Sequence, residues 1–218
     1  MAKSKSRDNG LVISLVNQKG GGGKSSTSVH LLYWLSQKAS VCLVDADAQK
    51  SSSIWVKFLE LPFEVIQNYK AIASQVPEIA KEYDYVVVDG PAAIERETRA
   101  ILSVSDLTLV PVQPSEADLH PTGNTIRLIR DARSRLGKPK SAVFLNRSKT
   151  NSLLERESAR TLKKMSDVPF LGIVRDRTSI ADAYGQGCTV WQLPGDGAEK
   201  AAREYEQLFK AALGVLDA

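Results

Sequence analysis

A doubly wound α/β fold, one mainly parallel sheet with helices on both faces, is predicted by three features of the chain. Seven short, nearly unbroken apolar runs rich in β-branched residues recur along it, helix-length segments separate them, and a glycine-rich stretch joins the first run to the first helical segment. Strands that are apolar throughout, with no alternation, suit a sheet buried on both faces, and parallel neighbours need a crossover between them. At 218 residues and 43% hydrophobic content the chain is long enough for one sizeable core and short for two. The expectation is a mobile basic tail over 1–10 and a single domain over 11–218.

Taken in order, the first strand is expected over 11–16. It runs into Asn17-Gln18-Lys19-Gly20-Gly21-Gly22-Gly23-Lys24-Ser25-Ser26 and then a helix over 24–37. Strand, glycines and helix in that order mark a phosphate-binding loop. The glycines let backbone N–H groups wrap an anion, and the helix directs its positive end at the same place. In such a loop Lys24 neutralises phosphate oxygens and Ser25 ligates Mg²⁺. The bland alternative is a glycine-rich turn with two solvated lysines. The usual G-x-x-x-x-G-K-[ST] pattern needs glycine at position 18, where this chain has Gln18, and it carries an additional Lys19.

The second strand, 41–44, holds Cys42 and leads into Asp45-Ala46-Asp47-Ala48-Gln49. Alternation puts both carboxylates on one side, facing the loop, although a turn or helix cap before Ser51-Ser52-Ser53 would use the same residues. A strand over 63–66 and a helix over 71–82 follow. The next strand, 85–88, ends in Asp89, the form of an element that holds Mg²⁺ through its water shell. Then come a helix over 95–103, a strand over 107–110 leading into Pro111-Val112-Gln113-Pro114-Ser115, and a helix over 122–136. A strand over 142–145 ends at Asn146, whose amide both donates and accepts, as an adenine edge requires; a simple turn residue is the alternative. Helices over 153–165, 180–186 and 198–213, with a strand over 170–174, complete the pattern. All the chemistry-bearing stretches sit at strand ends, where ligands bind in such sheets.

The form K-G-G-x-G-K-[ST] at Lys19–Ser25 resembles the deviant Walker A motif of the ParA/MinD family of P-loop ATPases. Asp45-Ala46-Asp47-Ala48-Gln49 is similar to its D-x-D-P-Q element, with Ala48 in place of proline, and Asp89-Gly90-Pro91 to its D-x-P continuation. The segments 110–115, 144–147 and 172–176 look like later family stretches. The resemblance implies a Mg²⁺-dependent ATPase with slow intrinsic turnover that forms an ATP-bound sandwich homodimer. Lys19 would reach across to the partner's nucleotide, Lys24 would act on phosphate, and Asp47 would position or deprotonate water. ATP would be held by Gly20, Gly21, Gly22, Gly23, Lys24, Ser25, Ser26 and Asn146, and Mg²⁺ by Ser25, Asp45 and Asp89. The same resemblance implies binding to non-specific double-stranded DNA, and release by a ParB-like or cargo adaptor that stimulates hydrolysis. The cargo is a plasmid, a chromosome origin or a protein compartment.

Charge distribution agrees with a polyanionic partner. Net charge is +4, but residues 127–164 hold twelve basic residues against three acidic ones, a balance of +9 that leaves −5 for the rest. Arg127, Arg130 and Arg133 or Arg135 fall near one face of one expected helix, and Arg156, Arg160, Lys163 and Lys164 cluster on another. Candidate DNA contacts are Lys149, Arg160, Lys163, Lys164 and Arg175, against a solvated face as the ordinary alternative; no base-reading module is visible.

Two other classes are weighed. A MinD-like membrane-cycling ATPase of division-site placement needs a basic amphipathic tail, and residues 204–213 carry two acidic residues against one basic, so no stable membrane anchor is expected. A small-molecule synthetase or iron-sulfur carrier is the other, but Cys42 and Cys188 have no second cysteine nearby and read as structural thiols. His30, Trp34, Trp55, His120 and Trp191 are assigned no chemistry. With no membrane-length apolar run or secretory signal, a cytoplasmic, nucleoid-associated protein is expected.

Overall fold

The computed structural model describes residues 9–92, 95–150, 152–165 and 167–217, with only the backbone of 116–121. The expected tail therefore lies almost wholly outside the described residues, as does the His120 side chain.

Seven strands are present: β1 (Leu11–Leu15), β2 (Val41–Asp45), β3 (Phe63–Val65), β4 (Tyr85–Asp89), β5 (Leu107–Val112), β6 (Lys140–Ser148) and β7 (Phe170–Arg175). They form one sheet in the order β3-β2-β4-β1-β5-β6-β7, and every pairing is parallel. β1, β2, β4 and β5 are buried almost throughout, which is why they read as unbroken apolar runs.

Among the described residues eight helices cover the sheet: α1 (Lys24–Ser36), α2 (Ser51–Phe58), α3 (Tyr69–Ile79), α4 (Glu95–Val104), α5 (Glu116–Leu136), α6 (Leu153–Lys163), α7 (Thr178–Gly185) and α8 (Asp196–Asp217). Two apolar clusters divide them. One packs α3, α4, α5 and α6 through Ile72, Ile101, Leu128 and Leu162; the other packs α1, α2 and α8 through Leu31, Trp55 and Phe209 on the opposite face.

Beyond shifts of a few residues at other ends, β6 is longer than expected, running Lys140–Ser148, and three helices differ. Helix α2 was not foreseen, because Ser51-Ser52-Ser53 is a poor helix opening on propensity alone. Its start is stabilised from outside, by Asp45 Oδ2 accepting from Ser53 N at 2.8 Å. Helix α5 begins six residues before the expected 122, since its backbone carries through Pro121, a residue that reads as a helix start. Helix α8 extends at both ends, from Asp196 to Asp217.

β1 sits between β4 and β5; its own connection, to β2, runs one way along the sheet, and the connection from β5 to β6 runs the other. Its carboxyl end is thus the crevice of the sheet, and the glycine loop lies there.

Candidate nucleotide-binding site

The loop between β1 and α1 is held from beneath. Gln113 Nε2 donates to Gly21 O at 2.7 Å, Asn146 Nδ2 to Gly22 O at 2.9 Å, and Asn17 Nδ2 to Pro111 O at 2.8 Å. Gly21 and Gly23 adopt φ values of 77° and 83°, and a Cβ on Gly23 would stand 2.0 Å from Asn146 Nδ2. Glycine is required there by both backbone and space. Carbonyls of the loop are claimed by side chains, while the N–H groups of Gly20 to Gly23 have no partner among the described residues. Helix α1 has no side-chain cap and no acidic residue in its first turn. An uncapped helix start behind unpartnered N–H groups is an anion site.

Lys24 is buried, and its Nζ rests on Lys19 O at 3.3 Å. Burial lowers its pKa, while Asp89 and Asp47 oppose the shift. Lys19 is half-buried, its N–H donating to Asn17 Oδ1 at 3.3 Å.

Asp45 and Asp89 end adjacent strands as paired positions, and both are fully buried. Asp89 Oδ1 accepts from Ser28 Oγ at 3.2 Å, but its Oδ2 and the nearby Ser52 Oγ have no hydrogen-bond partner. Burial pushes the Asp89 pKa up to about 6, against the nearby hydroxyls of Ser25 and Ser52; Asp45 adds repulsion and Lys24 relieves it. A buried, unsatisfied carboxylate oxygen beside Ser25 suits a hard cation with oxygen ligands.

Asp45 and Asp47 sit in different surroundings. The strand ends at Asp45, and both Asp45 oxygens accept backbone N–H groups, from Asp47 at 3.0 Å and from Ser53 at 2.8 Å. Asp45 therefore holds Asp47 and α2 in place. Asp47 is half-buried, and its Oδ1 accepts from Gln49 N at 3.0 Å.

Asn146 is also placed differently. It lies within β6, 2% exposed, and its Nδ2 donates to Gly22 O.

The basic candidates separate into two groups. Arg127 is 3.9 Å from Asp131, Arg130 forms a bidentate pair with Asp167 at 2.8 Å, and Arg133 joins the same Asp167 backbone. Arg175 is tied to Glu155. Lys149, Arg156, Arg160, Lys163 and Lys164 are exposed and form no ion pair among the described residues; Lys163 lies over the Phe170 ring. Arg175 is thus in a pair, not free on the surface.

His30 belongs to the core. It stacks on Tyr205, donates through Nδ1 to Ser26 O at 2.6 Å and accepts from Val190 N at Nε2, and burial lowers its pKa to about 4. Cys42 is buried, its thiol pushed up to about 12, chiefly by burial. No helix among the described residues is long and apolar enough to cross a membrane.

Ser28 and Ser52 were missed from the sequence. The available signal was position: Ser28 is four residues after Lys24, hence on the same helix face.

The family model described as the CobQ/CobB/MinD/ParA nucleotide binding domain matches residues 13–190. The chain is 30% identical over 209 residues to maintenance of carboxysome distribution protein A of Halothiobacillus neapolitanus, covering 93% of this chain and 96% of that protein. It is 22% identical over 248 residues to septum site-determining protein MinD of Helicobacter pylori, covering 94% and 91%. Among solved structures, the ATP complex of an Asp-to-Ala variant of McdA from Cyanothece superposes with a TM-score of 0.78 at 18% identity, covering 95% of this chain and 98% of that one.

Proposed function

Since the chain belongs to the CobQ/CobB/MinD/ParA nucleotide-binding family, we propose that it is an ATP-driven switch that positions a cargo on DNA. The observation that carries the reading is the uncapped α1 start behind a loop bearing both Lys19 and Lys24, with the unsatisfied Asp89 oxygen beside it. These fit a nucleoside triphosphate with Mg²⁺. When bound, the ion supplies charge neutralisation on the β- and γ-phosphate oxygens.

This chain's own residues divide the remaining work. Lys24 leaves Lys19 O to meet phosphate, and Lys19 reaches towards a second copy of the chain. Ser25 and Asp89 hold the ion directly or through water. Asp47, set by Asp45, orients the attacking water; such chemistry asks mainly for alignment. Two chains face to face complete two sites, and the exposed basic face of α6 with Lys149 then tracks phosphates without reading sequence.

The similarity to a carboxysome distribution protein over nearly the whole chain favours a protein compartment as cargo over a plasmid or chromosome origin. A partner on that cargo stimulates hydrolysis and release, and slow intrinsic turnover keeps the ATP state long-lived. The protein works in the cytoplasm on the nucleoid.

The test is binding to random duplex DNA with ATP, with ADP, and with Asp47→Ala plus ATP, at two salt concentrations and with the mass of each state recorded. The reading expects a salt-sensitive ATP dimer on DNA, retained or strengthened by Asp47→Ala. A dimer that ignores DNA but sediments with anionic vesicles would replace it with a membrane cycle.

A further inference from the structure

Three consecutive residues at the carboxyl end of β6 reach in two directions. Asn146 donates to Gly22 O of the nucleotide loop at 2.9 Å, and Arg147, at φ 53°, donates to Gly21 O at 3.4 Å. The next residue, buried Ser148, turns away from the loop and donates from Oγ to Glu155 Oε2 at 2.5 Å. Glu155 stands in the first turn of α6, is itself buried, and receives Arg175 on the same oxygen. Arg175 in turn donates its N–H to Glu204 of α8 at 2.9 Å.

The first turn of α6 has little other grip. Leu153 is 62% exposed and Leu154 46%, whereas Leu162, two turns on, is fully buried. Ser152 caps the helix by accepting from Glu155 N at 3.1 Å, and the Ser-x-x-Glu spacing is that of a capping box. In such a box the glutamate turns back to the cap residue's N–H. Here it is directed to Ser148 and Arg175 instead. The helix start is therefore tied to the strand that touches the nucleotide loop, through a charge-assisted pair of bonds and not through apolar packing.

We propose that Glu155 is a positioning residue that couples the nucleotide loop to the basic face of α6 through Ser148 and the carboxyl end of β6. Phosphate binding draws the N–H groups of the loop inward and alters the pull of Gly21 O and Gly22 O on Arg147 and Asn146. Ser148 passes that shift to Glu155. The helix start moves about its buried Leu162 end, and Arg156, Arg160 and Lys163 change their spacing against a duplex. The proposal rests on the reading of α6 as a nucleotide-gated DNA face.

Two variants test it. Ser148→Ala removes the link without changing the charge; Glu155→Ala removes the acceptor of both bonds, releases Arg175, and so raises DNA affinity in every state. The readout is accordingly the ATP-over-ADP preference for DNA, not the affinity. In the natural protein the preference is expected at about fivefold or more, and in both variants it falls to none while a fluorescent ATP analogue still binds. Hydrogen exchange over residues 152–164 supplies a readout that needs no DNA: ATP changes it in the natural protein and not in the variants. Variants that keep either the preference or the exchange response overturn the proposal, as does a natural protein whose α6 ignores ATP. An α6 that responds to ATP in a protein with no DNA affinity would sink the DNA reading and leave the coupling standing.

Discussion

Burial without a partner on Oδ2 lifts the Asp89 carboxyl to about 6, so near neutrality its charge depends on what stands beside it. Below about 6, a Mg²⁺ ion bound there would have to displace a proton. Metal-dependent nucleotide binding should therefore weaken about tenfold for each pH unit below about 6, a loss that titration of a fluorescent ATP analogue at several pH values would reveal. The same group affects stability with a defined sign. Between its unfolded value of 3.8 and about 6, folded Asp89 holds a proton that the unfolded chain releases, so its contribution falls as pH rises. His30 acts oppositely: it stays neutral when folded down to about 4, against 6.5 unfolded, so its contribution is lost as pH falls. Each slope is about 1.4 kcal/mol per pH unit, and across the overlap they cancel. Asp89→Asn removes one of the two. In urea melts between about pH 4 and 6, the variant should gain stability relative to the natural protein by about 1.4 kcal/mol per pH unit. A constant difference across that window would exclude this balance.

At the scale of elements, α2 shows how the turn bearing Asp47 is built. Asp45 Oδ2 takes Ser53 N, Asp45 Oδ1 takes Asp47 N, and Asp47 O accepts from Lys50 N at 3.1 Å and from Gln67 Nε2 at 3.0 Å. Loss of a cap of this kind costs about 1–2 kcal/mol. Asp45→Ala is thus expected to lower thermal stability by that amount and to slow single-turnover hydrolysis while ATP affinity falls much less. An equal loss of affinity and rate would return Asp45 to the role of ion ligand. The seven strands and the glycine loop were legible in the sequence because each depends on local pattern: unbroken apolar runs, and glycines between strand and helix. Helix α2 was not, since its stability comes from Asp45, six residues upstream of its start in a different element. The buried position of Asn146 was equally hidden: a strand-ending amide looks available until the loop folds over it and occupies its Nδ2.

Across the whole molecule, the +9 of residues 127–164 is not the charge that a polyanion meets. Asp106, Asp167 and Asp176 lie outside that stretch, yet Asp167 takes Arg130 and Arg133, Asp106 stands 3.9 Å from Lys138, and Asp176 stands 3.6 Å from Arg147. A count along the chain cannot see these pairs, because β-strand order, not sequence distance, brings their partners together. The helix α5 face is thereby largely matched, and within 127–164 the exposed cations without ion pairs among the described residues lie mostly on α6 and on Lys149 just before it, apart from Arg135 and Lys140. Each phosphate contact contributes about 0.9 to the slope of log affinity against log salt. Reversing Arg160 and Lys163 together, Arg160→Glu with Lys163→Glu, should lower that slope by about 2 in the ATP state. Replacing Arg130 and Arg133 with glutamine should instead lower thermal stability by leaving Asp167 unpaired, with the slope unchanged. Fluorescence anisotropy with a random duplex across a salt series separates the outcomes. If the α5 variant flattens the slope and the α6 variant does not, the polyanion runs along the other helix, and the pairs with Asp167 must open to admit it.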